Sequence, residues 1–373
     1  MKVLLAPDKF KGSLSAAGVC AALEAGWRRG FPGAEFRRAP LADGGEGFSE
    51  ALGMAMGGAW VEVETVDALG RPVRGKYMWV ERERVAVVEM SEASGLWRLM
   101  REELAPELAH TRGTGLLMRD AAERGARRIL VGLGGSATTD GGMGMARALG
   151  WRFWDAEGRE LEGVARDMGK VFRVEKPPGE GFPEVVAACD VRNPLLGPRG
   201  TAAVYAPQKG ADASMVACLE GWLGNFADRV AECVGRDHRE LEGAGAAGGI
   251  GFGLVSFCGA RMEPGFELVA DAVGLREGVA WADVVLTGEG RLDGQTLEGK
   301  GPAGVARLAR AAGRRVVAFA GSVEDGEAVG GTFDAVVPVV DSPMSLEAAM
   351  AGAAQLLERA ASRAARLAGL NLR

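Results

Sequence analysis

The stretch Arg128-Ile129-Leu130-Val131-Gly132-Leu133-Gly134-Gly135-Ser136-Ala137-Thr138-Thr139-Asp140-Gly141-Gly142 decides the fold class of this chain. Its apolar opening reads as a short buried strand, and Met143 to Leu149 read as the first turns of a helix. Strand, glycine-rich loop and helix together are the repeating unit of an α/β sheet. Five glycines between Gly132 and Gly142 let the backbone approach a ligand closely. Ser136, Thr138 and Thr139 supply hydroxyls and the helix start supplies unpaired N–H groups, so the loop suits a phosphate. Asp140 adds a carboxylate for a phosphate-bound Mg²⁺ or a substrate hydroxyl. Taken alone, such a loop equally fits a tight strand-to-helix turn.

Comparable loops elsewhere favour the functional reading. The strand Val3–Ala6 leads into Pro7-Asp8-Lys9-Phe10-Lys11-Gly12-Ser13, with Ser13 as the expected cap of a helix from Leu14. A carboxylate and two ammoniums at a strand's carboxyl end stand where open α/β sheets bind ligands. Asp43-Gly44-Gly45-Glu46-Gly47 follows the strand-like 35–39. There Glu46 is expected in a capping box with Asp43, and Asp43 is also expected to bind metal or move a proton. Asp190 and Asn193 close the apolar strand 184–187, and the segment runs on to Pro207-Gln208-Lys209-Gly210. After the strand 283–286 come Glu289, Arg291 and Asp293. Gly294 to Lys300 has the P-loop spacing, but Gly301 stands in place of the Ser or Thr of a true P-loop. Pro302 fits the first position of a helix that would aim N–H groups and Lys300 at one point.

Strands and helices alternate along the chain: strand 2–6 and helix 14–29, strand 34–39 and helix 46–56, strand 128–133 and helix 142–149, strand 184–189, strand 283–287 and helix 302–312, strand 315–320, strand 334–339 and helix 345–368. This pattern predicts a doubly wound, mainly parallel sheet. Between Trp60 and Met90 the alternation becomes antiparallel in style, with 67–72 as a turn. The expected organisation is therefore a discontinuous α/β domain, 1–62 with 270–373. A second α/β domain with a mixed sheet, 63–269, is inserted in it, and the active site lies in the cleft between them. Gly243 to Gly253 is expected to open a small-residue helix packed tightly at that cleft.

Composition agrees. The 373 residues are 47% hydrophobic and 25% charged, enough for about two domains with real cores. A net charge of −6 disfavours nucleic acid and anionic membranes, so any phosphate site must be local. Five cysteines without C-x-x-C pairing read as reduced thiols in a cytoplasmic protein, and no targeting or transmembrane stretch is legible. Two histidines give no support to a catalytic triad or a zinc site.

The loops in their order resemble the type-1 glycerate kinases. The resemblance covers Ala6 to Ala16, Ala42 to Gly47, Glu89 to Leu96, Thr111 to Gly115, Gly134 to Gly150, Ala188 to Leu195, Pro207 to Ala211, Gly245 to Gly249 and Thr287 to Lys300. It implies ATP-dependent, Mg²⁺-assisted phosphorylation of D-glycerate, at the 2-hydroxyl rather than the 3-hydroxyl. Lys9, Phe48 and Thr139 depart from the family pattern, and no role is carried over to them. The expected partners are a small organic acid and a nucleotide, with a homo-oligomer left open. Three rivals are a kinase of the galactokinase and homoserine kinase superfamily, a non-catalytic binding protein and a nicotinamide-dependent oxidoreductase. The last would need G-x-G-x-x-G after the first strand, which ends instead in Pro-Asp-Lys-Phe-Lys.

Phosphoryl transfer needs alignment and charge neutralisation more than covalent help. Gly134, Gly135, Ser136 and Thr138 are expected to cradle phosphate, with Lys11, Lys209 and Lys300 as contacts to phosphate or the glycerate carboxylate. Asp190 is the first candidate for the base. Asp8, Asp43, Glu289 and Asp293 compete for Mg²⁺ or the second hydroxyl, Asp140 serves either purpose, and Asp43 and Asp190 are the metal candidates. Arg71 and Arg291 are expected to grip the carboxylate bidentately, and Asn193 to line the site.

Overall fold

The strands, in chain order, are β1 (Lys2–Leu5), β2 (Glu35–Arg38), β3 (Ala59–Val66), β4 (Pro72–Val80), β5 (Val85–Glu89), β6 (Arg128–Gly132), β7 (Arg152–Trp154), β8 (Arg173–Glu175), β9 (Glu184–Ala188), β10 (Arg261–Glu263), β11 (Val284–Leu292), β12 (Arg315–Val323) and β13 (Ala335–Pro338). They come from a computed structural model that describes residues 1–179, 181–294, 301–324 and 331–370. The chain forms two compact units, Met1–Asp43 with Phe266–Arg373, and Gly44–Gly265. The chain passes between them at 43/44 and 265/266, where sequence placed the boundaries at 62/63 and 269/270. The shift has a packing cause: the helix Phe48–Ala55 lies on β4 and β5 and so belongs to the inserted unit.

The first unit holds a fully parallel sheet in the order β2-β1-β11-β12-β13. Counted within the unit, the order is 2-1-3-4-5, which is doubly wound and reverses between β1 and β11. Val3 and Leu5 pack with the helices Ala16–Gly30 and Ala353–Leu370, while Leu4 meets Gly278 of the helix Leu275–Trp281 on the opposite face. Alternate side chains of one strand thus serve two helix layers.

The inserted unit carries a six-stranded sheet in the order β10-β9-β6-β5-β4-β3. Its β10, β9, β6 and β5 run parallel, and β5-β4-β3 are antiparallel. The antiparallel style read between Trp60 and Met90 is real, but β3 pairs with β4, whereas β5 is a central strand buried along its length. The adjoining core reaches from Tyr77 and Val88 through Val131 and Val185 to Phe226, Phe252 and Phe257.

Helix ends differ from the sequence reading by local capping. Ser15, not Ser13, caps the first helix by accepting from Gly18 N at 3.2 Å, while Ser13 donates to Phe10 O. The expected Asp43–Glu46 box is absent: the helix starts at Phe48 behind a left-handed Gly47 without a side-chain cap. The C-terminal helix is two helices, Leu346–Ala351 and Ala353–Leu370.

The two terminal helices of the first unit touch backbone to backbone. A Cβ at Gly26 would stand 2.2 Å from Glu358 O. On an exposed helix face Gly→Ala stabilises by roughly 1 kcal/mol. Here Gly26→Ala is expected to destabilise by about 1–3 kcal/mol through overpacking, read as a lowered melting temperature; a raised one would show that the helices separate freely.

Candidate active site

At the carboxyl edge of the inserted unit's sheet, Glu89 of β5, Gly132 of β6 and Ala188 of β9 stand side by side. The chain beyond each end is drawn in by backbone contact. A Cβ on Gly44 would lie 2.3 Å from Ala188 O, and one on Gly134 would lie 2.5 Å from Gly45 Cα. Only glycine permits that approach. Gly44 N donates to Asp190 Oδ2 at 3.2 Å, which sets the Asp190 carboxylate beside the Asp-Gly-Gly-Glu-Gly loop. Ser49 N donates to Glu89 Oε1 at 2.7 Å, and Glu89 is buried. Glu89 was not singled out from sequence, although a lone carboxylate closing the run Val-Ala-Val-Val was a legible signal.

The glycine-rich loop is bonded to a buried cation. Lys209 is 1% exposed, and its ammonium donates to Ser136 Oγ at 2.8 Å and Thr138 O at 2.5 Å. Burial pulls its pKa down to about 7, against the opposing pull of Asp140. Three successive left-handed residues, Ala247, Gly248 and Gly249, press onto the same loop. A Cβ on Gly248 would stand 1.8 Å from Thr138 O. The expected small-residue helix is present, but its regular turns begin only after Gly249 and pack on Gly141 and Gly142.

Asp140 corrects its expected role. It is fully buried and accepts from Thr111 N (2.7 Å), Thr111 Oγ1 (2.7 Å), Gly144 N (3.0 Å) and Gly142 N (3.3 Å). Burial raises its pKa, while the bonds from Thr111 and Gly144 oppose the rise. Its carboxylate fastens the loop to the helix Arg112–Glu123 and is consumed in doing so. Asp140→Asn turns an amide N–H₂ against these donors and is expected to cost on the order of 2–4 kcal/mol, seen in thermal melts. Wild-type melting with an altered Mg²⁺ requirement would return Asp140 to metal binding.

Other expectations are corrected by partners. Asn193 donates to Arg199 O and accepts from Tyr205 Oη, both at 2.7 Å, so its amide orders its own loop. Arg71 is clamped between Asp67 and Glu103 at the β3–β4 turn, and Arg291 pairs with Glu324 and Asp293 on the surface. These guanidiniums are spent on neighbours. Cys189 is buried, as a structural thiol should be.

In the first unit the reversal between β1 and β11 carries a second group. Asp8 N donates to Gly288 O at 2.9 Å, and Glu289 follows in β11. The Lys9 ammonium lies 3.6 Å from Asp8 Oδ1 and 3.9 Å from Asp43 Oδ1. It therefore stands between Asp8, one of the carboxylates expected to compete for Mg²⁺, and Asp43, one of the two metal candidates. Gly301, where the helix Gly301–Ala311 starts, places its Cβ position 3.3 Å from Asp8 Oδ2. Lys11 is exposed on the loop after β1. Lys300 lies outside the described residues. Among the described residues, no group of three or more His, Cys, Asp or Glu side chains forms a metal cage, and no helix is long and apolar enough to cross a membrane.

Burial raises the Asp8 pKa to about 6; Lys9 opposes the rise and Asp43 adds to it. The native state then binds more protons than the unfolded chain between pH about 4 and about 6, so stability falls as pH rises through that window and levels off above it. Asp8→Asn is expected to remove the slope and to be more stable at neutral pH by on the order of 2 kcal/mol, measured by denaturant melts across the window. An unchanged slope would assign it to another group.

A profile of the glycerate kinase family matches residues 3–369. The chain belongs to the glycerate kinase family. It is 41% identical to a glycerate kinase of Bacillus subtilis (strain 168), over 97% of this chain and 96% of the relative. It is 38% identical to a glycerate 2-kinase of Escherichia coli (strain K12), over 100% and 99%. A crystal structure from Salmonella typhimurium LT2, provisionally named glycerate kinase 2, superposes with a TM-score of 0.87 at 39% identity, over 100% of this chain and 99% of that one. This glycerate kinase family member is a kinase that transfers phosphate to an alcohol group.

Proposed function

We propose that the chain transfers the γ-phosphoryl group of ATP to the 2-hydroxyl of D-glycerate, giving 2-phosphoglycerate and ADP. The observation that carries this reading is the placement of one carboxylate, Asp190, at the sheet edge beside a glycine- and hydroxyl-rich loop backed by the buried Lys209. Asp190 is the group that takes the acceptor hydroxyl proton as the bond to phosphorus forms. Gly134, Gly135, Ser136 and Thr138 hold phosphoryl oxygens through N–H and O–H donors, supplying alignment and charge stabilisation. The Thr138 hydroxyl is fully buried and has no hydrogen-bond partner among the described residues, which fits a loop built for a polar ligand.

Mg²⁺ fits this donor set as an ion bound mainly by phosphate oxygens and one or two carboxylates. Asp190 is the protein ligand we assign to it, because Lys9 already bridges Asp8 and Asp43. When bound, the ion neutralises phosphate charge. Lys11 is the contact we assign to a substrate anion, since Arg71 and Arg291 are paired elsewhere. The 2-position draws its support from the relative named glycerate 2-kinase.

ADP formation is expected to require both D-glycerate and Mg²⁺, with phosphorus NMR showing the 2-phosphate. Equal ADP release without a hydroxy acid would sink the kinase reading, and a 3-phosphate product would sink only the regiochemistry. Asp190→Asn is expected to lower kcat by about a hundredfold or more with a smaller change in KM, as for a group acting during transfer. Near-normal kcat would pass the base to another carboxylate.

A further inference from the structure

Two neighbours of the Lys209 ammonium are neutral, Ser136 Oγ and the Thr138 carbonyl. When Lys209 carries its proton the ammonium has no lone pair, so in the first of these bonds the serine oxygen must be the acceptor, and an anion bound at the loop favours that protonated form. A hydroxyl that accepts from an ammonium retains its single proton for a different partner, and that partner must itself be an acceptor. Among the described residues the Ser136 hydroxyl has no hydrogen-bond partner except Lys209. The second bond acts in the same direction. A backbone carbonyl turned toward an anion repels it, and Lys209 ties the Thr138 carbonyl down at 2.5 Å.

The surroundings hold this arrangement rigidly. Lys209 sits in the turn Pro207–Lys209, closed by a left-handed Gly210, with its N–H bonded to Ala206 O at 2.9 Å. Gly248 presses on Thr138 O from the other side, and a Cβ there would come within 3.1 Å of Lys209 Nζ. The loop is also stitched to the neighbouring chain: Leu96 N donates to Gly135 O at 2.8 Å, and Ala137 N to Ser94 O at 2.9 Å. Ser136 itself is 6% exposed, so its hydroxyl has little water to turn to.

We infer that Lys209 is a positioning residue that acts through Ser136, polarising this hydroxyl into an obligate donor to an oxyanion of the bound ligand. This rests on the reading of the loop as an anion cradle and adds which atom makes the contact and what orients it. Phosphoryl and glycerate carboxylate oxygens share the required chemistry. Ser136 touches the ligand, whereas Lys209, buried beneath the loop, does not.

A double-mutant cycle on the full chain tests the inference, using Ser136→Ala, Lys209→Met and the pair. Affinities for MgATP and for D-glycerate are measured separately by calorimetry, with kcat and KM alongside. Each single change is expected to weaken the same ligand by about 10- to 100-fold, the range of a charge-assisted hydrogen bond, and the double variant no more than the worse single one. Ser136→Thr keeps the hydroxyl and is expected to restore most of the affinity. Lys209→Gln, whose amide still donates, is expected to lose less than Lys209→Met and closes the cycle if the methionine variant does not fold. The ligand weakened identifies the oxyanion. Additive losses, a Ser136→Ala protein within about twofold of wild type for both ligands, or a wild type that binds neither, would each overturn the inference. A wild type that binds MgATP with the expected cycle yet makes no ADP from D-glycerate would overturn the proposed reaction and leave this inference standing.

Discussion

Backbone touching backbone at the carboxyl edge of the inserted sheet is the constraint from which the site follows. Gly44 against Ala188 O, Gly134 against Gly45 Cα and Gly248 against Thr138 O are contacts that no side chain could share. They bring three loops far apart in sequence to one edge of one sheet. Once there, Asp190 accepts from Gly44 N, and the glycine-rich loop is bonded to Lys209 through Ser136 and Thr138. The chain's 58 glycines thus include a set whose job is proximity, not flexibility.

Buried charge is resolved differently at each place. Asp140 is saturated with protein donors and becomes a structural rivet. Lys209 meets neutral oxygens and is pulled toward neutrality by burial. Asp8 is desolvated, with Lys9 alongside and Asp43 close enough to oppose its ionisation. The saturated group cannot serve a ligand without losing its bonds, whereas an incompletely compensated one gains when an oppositely charged partner arrives. That difference separates residues that build the site from residues able to act in it.

Much was legible in the chain itself. The strand-loop-helix reading around Gly132 to Gly142 was correct within a residue or two, because a buried strand's apolar run and a helix start are local signals. The parallel pairing of β2, β1, β11, β12 and β13 agrees with the terminal strand–helix alternation, whereas their order was not read from it. Less legible were the caps. Asp43 and Glu46 have the spacing of a capping box, yet the left-handed Gly47 starts the helix later. The unit boundary also shifted, because the helix Phe48–Ala55 is claimed by packing on β4 and β5, which its own sequence does not record.

Sequence by itself determined the α/β class, the glycine-rich loops at strand ends and the glycerate kinase resemblance, since each depends on residue type at short spacing. Only the tertiary structure decided what the charged and polar groups in those loops do. Ser136 finds Lys209 across 73 positions, Asp140 finds Thr111 across 29, and Asp190 finds Gly44 across 146. Arg71, Arg291 and Asn193 had the right chemistry for substrate but meet protein partners first. A side chain's function depends on its burial and on which groups compete for it. Both are set by chain segments brought together in folding, and spacing along the sequence carries no trace of them.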